Sequence, residues 1–253
     1  MRAYLAGMTA DMATGMISIV DADPELAELL NDDELERARH ETLTRVQRLG
    51  TGDWDVSGAL EPEVYHRGFI VAEGLMSREV DVLGRRAVEL IGPSDVLRPW
   101  SWDEEGSHVQ AEIGWRVLEP TKLAVLDHAL VARLDPWPQL GVELVSRGTR
   151  RAHHLAVALA IVHHSRVEER LLLTLWHLAE RWGRVTRDGI LVPLPLGHQR
   201  LADIVGAHRP SVTKAMGALS DAGKVSRRDD GDWVLHGEPP DKLRGHRLAV
   251  ALT

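Results

Sequence analysis

Cysteine is absent from this 253-residue chain, which rules out disulfides, iron–sulfur clusters and thiolate metal sites and fits a reducing compartment. Aromatic residues are scarce at 4 %, with eight Trp and two Tyr but a single Phe. No run of 18 apolar residues occurs, so no helix of membrane-spanning character is expected. The opening MRAYLAGMTADMATGM lacks a charged stretch followed by an apolar core and a cleavage site. A cytoplasmic location without a membrane partner is therefore expected. Glycine-rich phosphate loops are missing, and His164-Ser165 has neither elbow glycines nor an evident acid partner. The chain is not expected to be an enzyme, and no cofactor is expected.

What is present is an ordinary globular balance, 44 % hydrophobic and 27 % charged, long enough for one or two domains. The formal net charge of −8 is unevenly spread. Residues 1–60 carry five arginines against twelve acids, net −7, whereas 181–236 carry nine cations against six acids, net +3. An acidic N-terminal part and a basic C-terminal part suggest two tasks on one chain.

The basic part holds the most informative segment, LGHQRLADIVGAHRPSVTKAMGALSDAGKV, residues 196–225. Leu201, Ile204 and Val205 share one face at helical spacing. Gly206 stops that helix, since glycine takes the left-handed conformation without steric cost. Pro210 sits in the first turn of a second helix, where its missing N–H costs nothing. Val212, Ala215, Met216 and Leu219 form the apolar stripe of this helix, and Arg209, Pro210, Ser211, Lys214 and Gly217 lie opposite, a narrow polar and positive face. That is the pattern of a helix-turn-helix whose second helix enters a DNA major groove. Gly223 ends the helix, and Val225, the turn Asp230-Gly231 and Trp233 to Leu235 predict a β-hairpin wing carrying Arg227 and Arg228. A second hairpin, Val185 to Arg187 and Ile190 to Val192 around Asp188-Gly189, precedes the motif.

Upstream, residues 24–49 read as helical with an interruption near Asn31-Asp32-Asp33. Short β-runs follow at 68–73, 75–82, 87–91, 109–118 and 122–126, punctuated by glycine and proline. This spacing predicts a small antiparallel β-barrel or jelly roll. A short helix, Asp127 to Leu134, and the turn Asp135-Pro136-Trp137-Pro138 close it. Residues 146–182 read as a long helix with a break near Ser165; Leu155, Ala158, Leu159 and Val162 make a stripe that Val167, Leu171, Leu175 and Leu178 continue. An apolar face of that length between two domains predicts a dimerisation helix. The fold class expected is thus α+β: an N-terminal antiparallel barrel or jelly roll, a long dimerisation helix and a C-terminal winged helix-turn-helix.

This order, and above all GHQRLADIVGAHRPSVTKAMGALSDAGKV, resembles the Crp/Fnr family of bacterial transcription regulators. VEERLLLTLWHLAERWG is similar to the end of that family's central helix, and VELIGPSDVL to a turn in its barrel. The resemblance implies a cyclic-nucleotide-binding-like effector domain over 1–145, a central helix over 146–182, a DNA-binding domain over 183–238 and a tail over 239–253. It implies a homodimer on a palindromic operator of double-stranded DNA, with RNA polymerase and a small-molecule effector as further candidate partners. Arg209, Ser211 and Lys214 match recognition-helix positions that meet bases and nearby phosphates, and His198 and Gln199 match positions that hold the DNA backbone. Pro210 stands where many members have glutamate, so a different preferred sequence is expected.

The effector region departs further from the family. Arg98-Pro99-Trp100 stands where cyclic-AMP binders have Gly-Glu-Leu, and Val109-Gln110-Ala111 where their phosphate-binding pair lies. Arg98 would have to supply charge from another direction, so cyclic AMP in the usual mode is not expected. Arg98, Trp100, Trp102 and Gln110 are the candidate effector residues, with Trp115 as a further aromatic for an apolar pocket. His153-His154 and His163-His164 invite a metal or haem reading, but pairs ten residues apart do not make one compact helical site. Solvated or interhelical histidines are the simpler expectation, and no metal residue is assigned. The competing functions are a small-molecule or haem sensor acting through protein contacts, and a nonspecific architectural DNA binder.

Overall fold

A computed structural model describes residues 15–56, 66–99, 109 and 111–240. The chain divides into two compact units, residues 1–153 and 154–253.

The first unit opens with β1 (Gly15–Ser18), α1 (Ile19–Ala22), α2 (Pro24–Ala27) and α3 (Asp32–Glu41). The interruption predicted near Asn31 is a helix start: Asn31 Oδ1 accepts from Glu34 N at 2.9 Å while Asn31 N donates to the Glu34 carboxylate at 3.1 Å. The helical expectation fails beyond residue 42, where β2 (Leu43–Leu49) is a strand. Thr44, Val46 and Leu49 are buried in it while Leu43 and Arg48 are exposed, a mainly alternating pattern set by pairing with β1 and with a distant strand.

There follow β3 (Gly52–Asp53), β4 (His66–Val82), β5 (Arg85–Ile91), β6 (Val96–Leu97), β7 (Glu112–Asp127) and α4 (His128–Arg133). The sheet is antiparallel, as predicted, in the order β1-β2-β7-β4-β5, with β3 on β7 and β6 on β4. It is not closed into a barrel. The segments 68–73 and 75–82 are one strand, not two, because Gly74 marks a bulge and not a turn: the register shifts between Glu73 and Met76. Gly74 has φ +95°, and a Cβ there would stand 2.4 Å from Pro120 O, so the site accepts only glycine. Alternation puts Phe69 and Val71, with Leu123 and Val125, into one core and Ile70, with Ala124 and Leu126, into another. The second core is completed by α1, Leu130 of α4, Trp137 and Leu140.

Helix α5 (Pro138–Val162) begins on the last residue of the predicted turn, ahead of residue 146, and runs on into the second unit. Within the first unit its inward side is held by charge. Arg147, 5 % exposed, reaches the fully buried Asp23 at 2.7 Å and Glu25 at 2.7 Å, and Asp23 also accepts from Ser94 Oγ at 2.8 Å. One turn on, Arg151 binds Glu89 through two bonds at 2.6 and 2.8 Å and donates to Val96 O at 3.2 Å. Val142 and Val145 face outward at 68 % and 75 % exposure, as does Leu159 at 63 % in the second unit. Leu140 and Ile161 are buried, so α5 combines an apolar and charged inward side with valines and a leucine that face solvent.

The second unit continues with α6 (Val167–Trp182), β8 (Arg184–Thr186), β9 (Gly189–Val192), α7 (His198–Val205), α8 (Arg209–Asp221), β10 (Val225–Arg227) and β11 (Trp233–Leu235). The break expected near Ser165 spans residues 163–166. Leu171, Leu175 and Leu178 do not prolong the outward stripe of α5; they are buried in this unit, where α6 packs on α7, α8 and β9. The two predicted hairpins join edge to edge into one sheet, β10-β11-β9-β8. Among the described residues no helix is long and apolar enough to cross a membrane.

Candidate nucleic-acid interface

The turn between α7 and α8 follows from its sequence. Gly206 adopts φ 60°, ψ 47°, and Ala207 N closes back on Ala202 O at 2.9 Å. Pro210 lies in the first turn of α8, and Val212 N donates to His208 O at 3.1 Å. The predicted stripe of α8 is its buried face: Val212, Ala215, Met216 and Leu219. At the far end Gly223, φ 64°, lets Gly223 N bond Ser220 O and Lys224 N bond Leu219 O. With both ends fixed, Arg209, Pro210, Ser211, Thr213, Lys214 and Gly217 are left exposed.

The sequence-predicted residues converge only in part. His198, first residue of α7, pairs its Nδ1 with Thr213 Oγ1 of α8 at 3.0 Å and stacks on Trp233 of the wing, centroids 6.2 Å apart and rings inclined by 21°. The Arg227 guanidinium lies 5.2 Å from the same indole, and Arg227 Nε donates to Gly231 O at 3.2 Å. Burial, then the charges of Arg227 and Arg209, hold the His198 imidazole below its ordinary pKa, which places both arginines within its electrostatic reach. His198 and Arg227 thus meet on Trp233, whose Nε1 donates to Leu196 O at 3.0 Å, while Arg209 stands exposed at the start of α8. Ser211 and Lys214 are exposed on α8. Gln199 turns along its own helix, Nε2 donating to Asp203 at 2.9 Å, and Arg228 is paired with Asp230 at 3.2 Å across the wing turn.

Sequence reasoning missed two contributors. Thr213 shows no local signal beyond its place between Val212 and Lys214. Arg170 of α6 donates to Val205 O at 2.8 Å and Gly206 O at 3.1 Å, taking up carbonyls that the end of α7 leaves unpaired.

A sequence model of the Crp-like helix-turn-helix domain matches residues 169–238, from the start of α6 to just beyond the wing. The chain carries a Crp-like helix-turn-helix domain. The resemblance to Crp/Fnr regulators is thereby borne out over the helix-turn-helix part of the chain. It is similar to the regulatory protein CysR of Synechococcus elongatus, 29 % identical over 186 residues that cover 64 % of this chain and 88 % of CysR. A cyclic nucleotide-binding domain containing protein from Listeria monocytogenes shares the fold at a TM-score of 0.59 and 14 % identity, over 85 % of this chain and 97 % of that one. CLP of Xanthomonas campestris, a c-di-GMP responsive global regulator, does so at 0.53 and 18 %, over 82 % and 100 %.

The candidate effector residues are placed differently. Arg98 is exposed just after β6, while Trp100, Trp102 and Gln110 lie outside the described residues. Trp115 is buried, edge-on to Trp54 at 5.9 Å, and Trp54 meets Phe69 at 6.3 Å. Beside this stack lies a cavity of about 490 Å³ lined by Asp53, Asp55, Glu79 and Arg116 as well as the two tryptophans. Of the paired histidines, His154 faces His177 of α6 with centroids 5.2 Å apart, and His164 Nδ1 lies 3.6 Å from Glu169. Among the described residues no three metal-ligating side chains converge.

Proposed function

We propose that the protein binds a two-fold symmetric DNA operator as a homodimer, inserting α8 into successive major grooves about 34 Å apart. The observation that carries this is the exposed polar face of α8, with Arg209, Ser211 and Lys214, standing beside Arg227 of the wing on a Crp-like scaffold. Arg209 is suited to base reading, since a guanidinium donates two bonds to guanine O6 and N7, a contact that discriminates by about 1–3 kcal/mol. Lys214, Ser211, His198, Gln199, Arg227 and Arg228 serve the backbone, with Gln199 and Arg228 first giving up their internal partners. The solvent-facing apolar residues of α5 support dimerisation: Val142, Val145 and Leu159 would be covered by a second copy. Residues 1–145 serve as effector domain in this reading and 183–238 as reader, with an effector other than cyclic AMP in its usual mode.

Selection of bound fragments from randomised duplexes tests the proposal, with purified protein and the Arg209→Ala, Lys214→Ala double variant as control. A two-fold motif enriched by the parent and lost in the control is the expected result. Equal enrichment by both would place the reading surface elsewhere.

A further inference from the structure

His198 stands at the meeting point of three elements: the first turn of α7, Thr213 of α8 at 3.0 Å, and the Trp233 indole of β11, on which Arg227 of β10 also lies. The charged groups in its electrostatic reach are Arg227 and Arg209, both cations. A neutral imidazole suits this place in the free protein, because a third positive charge beside two arginines is repelled and partly desolvated. A phosphate brought to the same cluster reverses that balance, since one anion among Arg209, Arg227 and the imidazole stabilises the protonated ring.

We infer that His198 is the proton-dependent arm of a phosphate seat formed with Arg209 and Arg227, so that DNA binding takes up a proton there. This rests on the DNA-reading function proposed above. Burial and the two arginines lower the free imidazole's pKa, and a bound phosphate raises it. Between those two values the free protein is neutral at His198 and the complex is charged. Affinity is then greatest at low pH and falls as pH rises, by up to about tenfold per pH unit for each His198 seat that is filled. Thr213 has a positioning part: its hydroxyl fixes the ring through Nδ1 and leaves Nε2 as the nitrogen to meet the anion.

The test measures affinity for a selected duplex at constant ionic strength from about pH 5.5 to about pH 8. Parent, H198Q and H198R are compared, with proton uptake read calorimetrically in two buffers of different ionisation enthalpy. The inference expects a downward slope and proton uptake in the parent, a shallower slope and weaker acid-side binding in H198Q, and tight binding of reduced pH dependence in H198R. His208 and His236 are common to all three, so a slope they cause would persist. An undiminished slope in H198Q with unchanged thermal melting would overturn the inference while leaving DNA binding intact. Absence of sequence-selective binding by the parent at every pH would overturn the DNA-reading function and the linkage with it.

Discussion

Arg170 shows how much of the reader's geometry depends on one side chain outside it. Its guanidinium closes the carbonyl end of α7 at the point where Gly206 turns the chain toward α8. Replacing Arg170 with alanine strands those carbonyls, and hydrogen bonds from a charged donor contribute about 1.5–3 kcal/mol when well shielded, about 1 kcal/mol or less when partly open to solvent as here. Arg170→Ala is expected to lower the unfolding midpoint by a few degrees, and Arg170→Lys, which keeps the charge but not the fork, to recover only part. Thermal unfolding followed by circular dichroism checks both. Nothing in the sequence around residue 170 announces this role, because its acceptors lie 35 and 36 positions away. Gly206 and Pro210, by contrast, are legible at sight, since the constraint each satisfies is its own backbone geometry.

Among the elements, those with local causes were readable and those with distant ones were not. The helices α7 and α8 and both hairpins carry their glycine, proline and Asp-Gly signals within a few residues. The pairing of β9 with β11, Val192 opposite Trp233, joins positions that no local signal connects. For the same reason β2 escaped detection: a single outward-inward alternation over seven residues competes poorly with a helical stretch just before it. The inward charges of α5 carry the element-scale prediction. Arg147 and Asp23 are 5 % and 0 % exposed at the side chain, and removing one member of such a pair costs up to about 3–5 kcal/mol, since Asp23 would stay buried with only the Ser94 hydroxyl and Glu25 N–H to offset its charge. Arg147→Met is expected to destabilise the protein by that order in urea unfolding. Combining it with Asp23→Asn should cost clearly less than the sum of the two single changes; additivity would mean that the 2.7 Å pair is energetically idle.

For the whole molecule the decisive quantity is how many copies act together. The composition was legible as two unlike parts, and the structure has two units, but the seam drawn from Leu155 to Leu178 mixed two surfaces: Leu159 is outward, whereas Leu171 and Leu175 belong to a core. The outward residues are therefore the ones to change. Val145→Arg with Leu159→Arg places charge on the exposed side of α5 and leaves the buried arginine pairs untouched. In sedimentation equilibrium the parent is expected to be a dimer and the variant a monomer. Affinity for a duplex with two half-sites is expected to drop by at least about 100-fold, while binding to an isolated half-site changes little. A variant that remained dimeric would move the contact to another surface.

The central position of β11 has a mechanical consequence. This strand is laddered on one side to β10 and on the other to β9, and the Trp233 indole is tied to Leu196 besides. A pull on the chain beyond Leu235 is met first by two rows of backbone bonds and not by α8. A bulky cargo fused there would load this sheet, and with it the Trp233 indole on which His198 and Arg227 meet, so a tether at the wing's last strand would reach His198 before it reached α8.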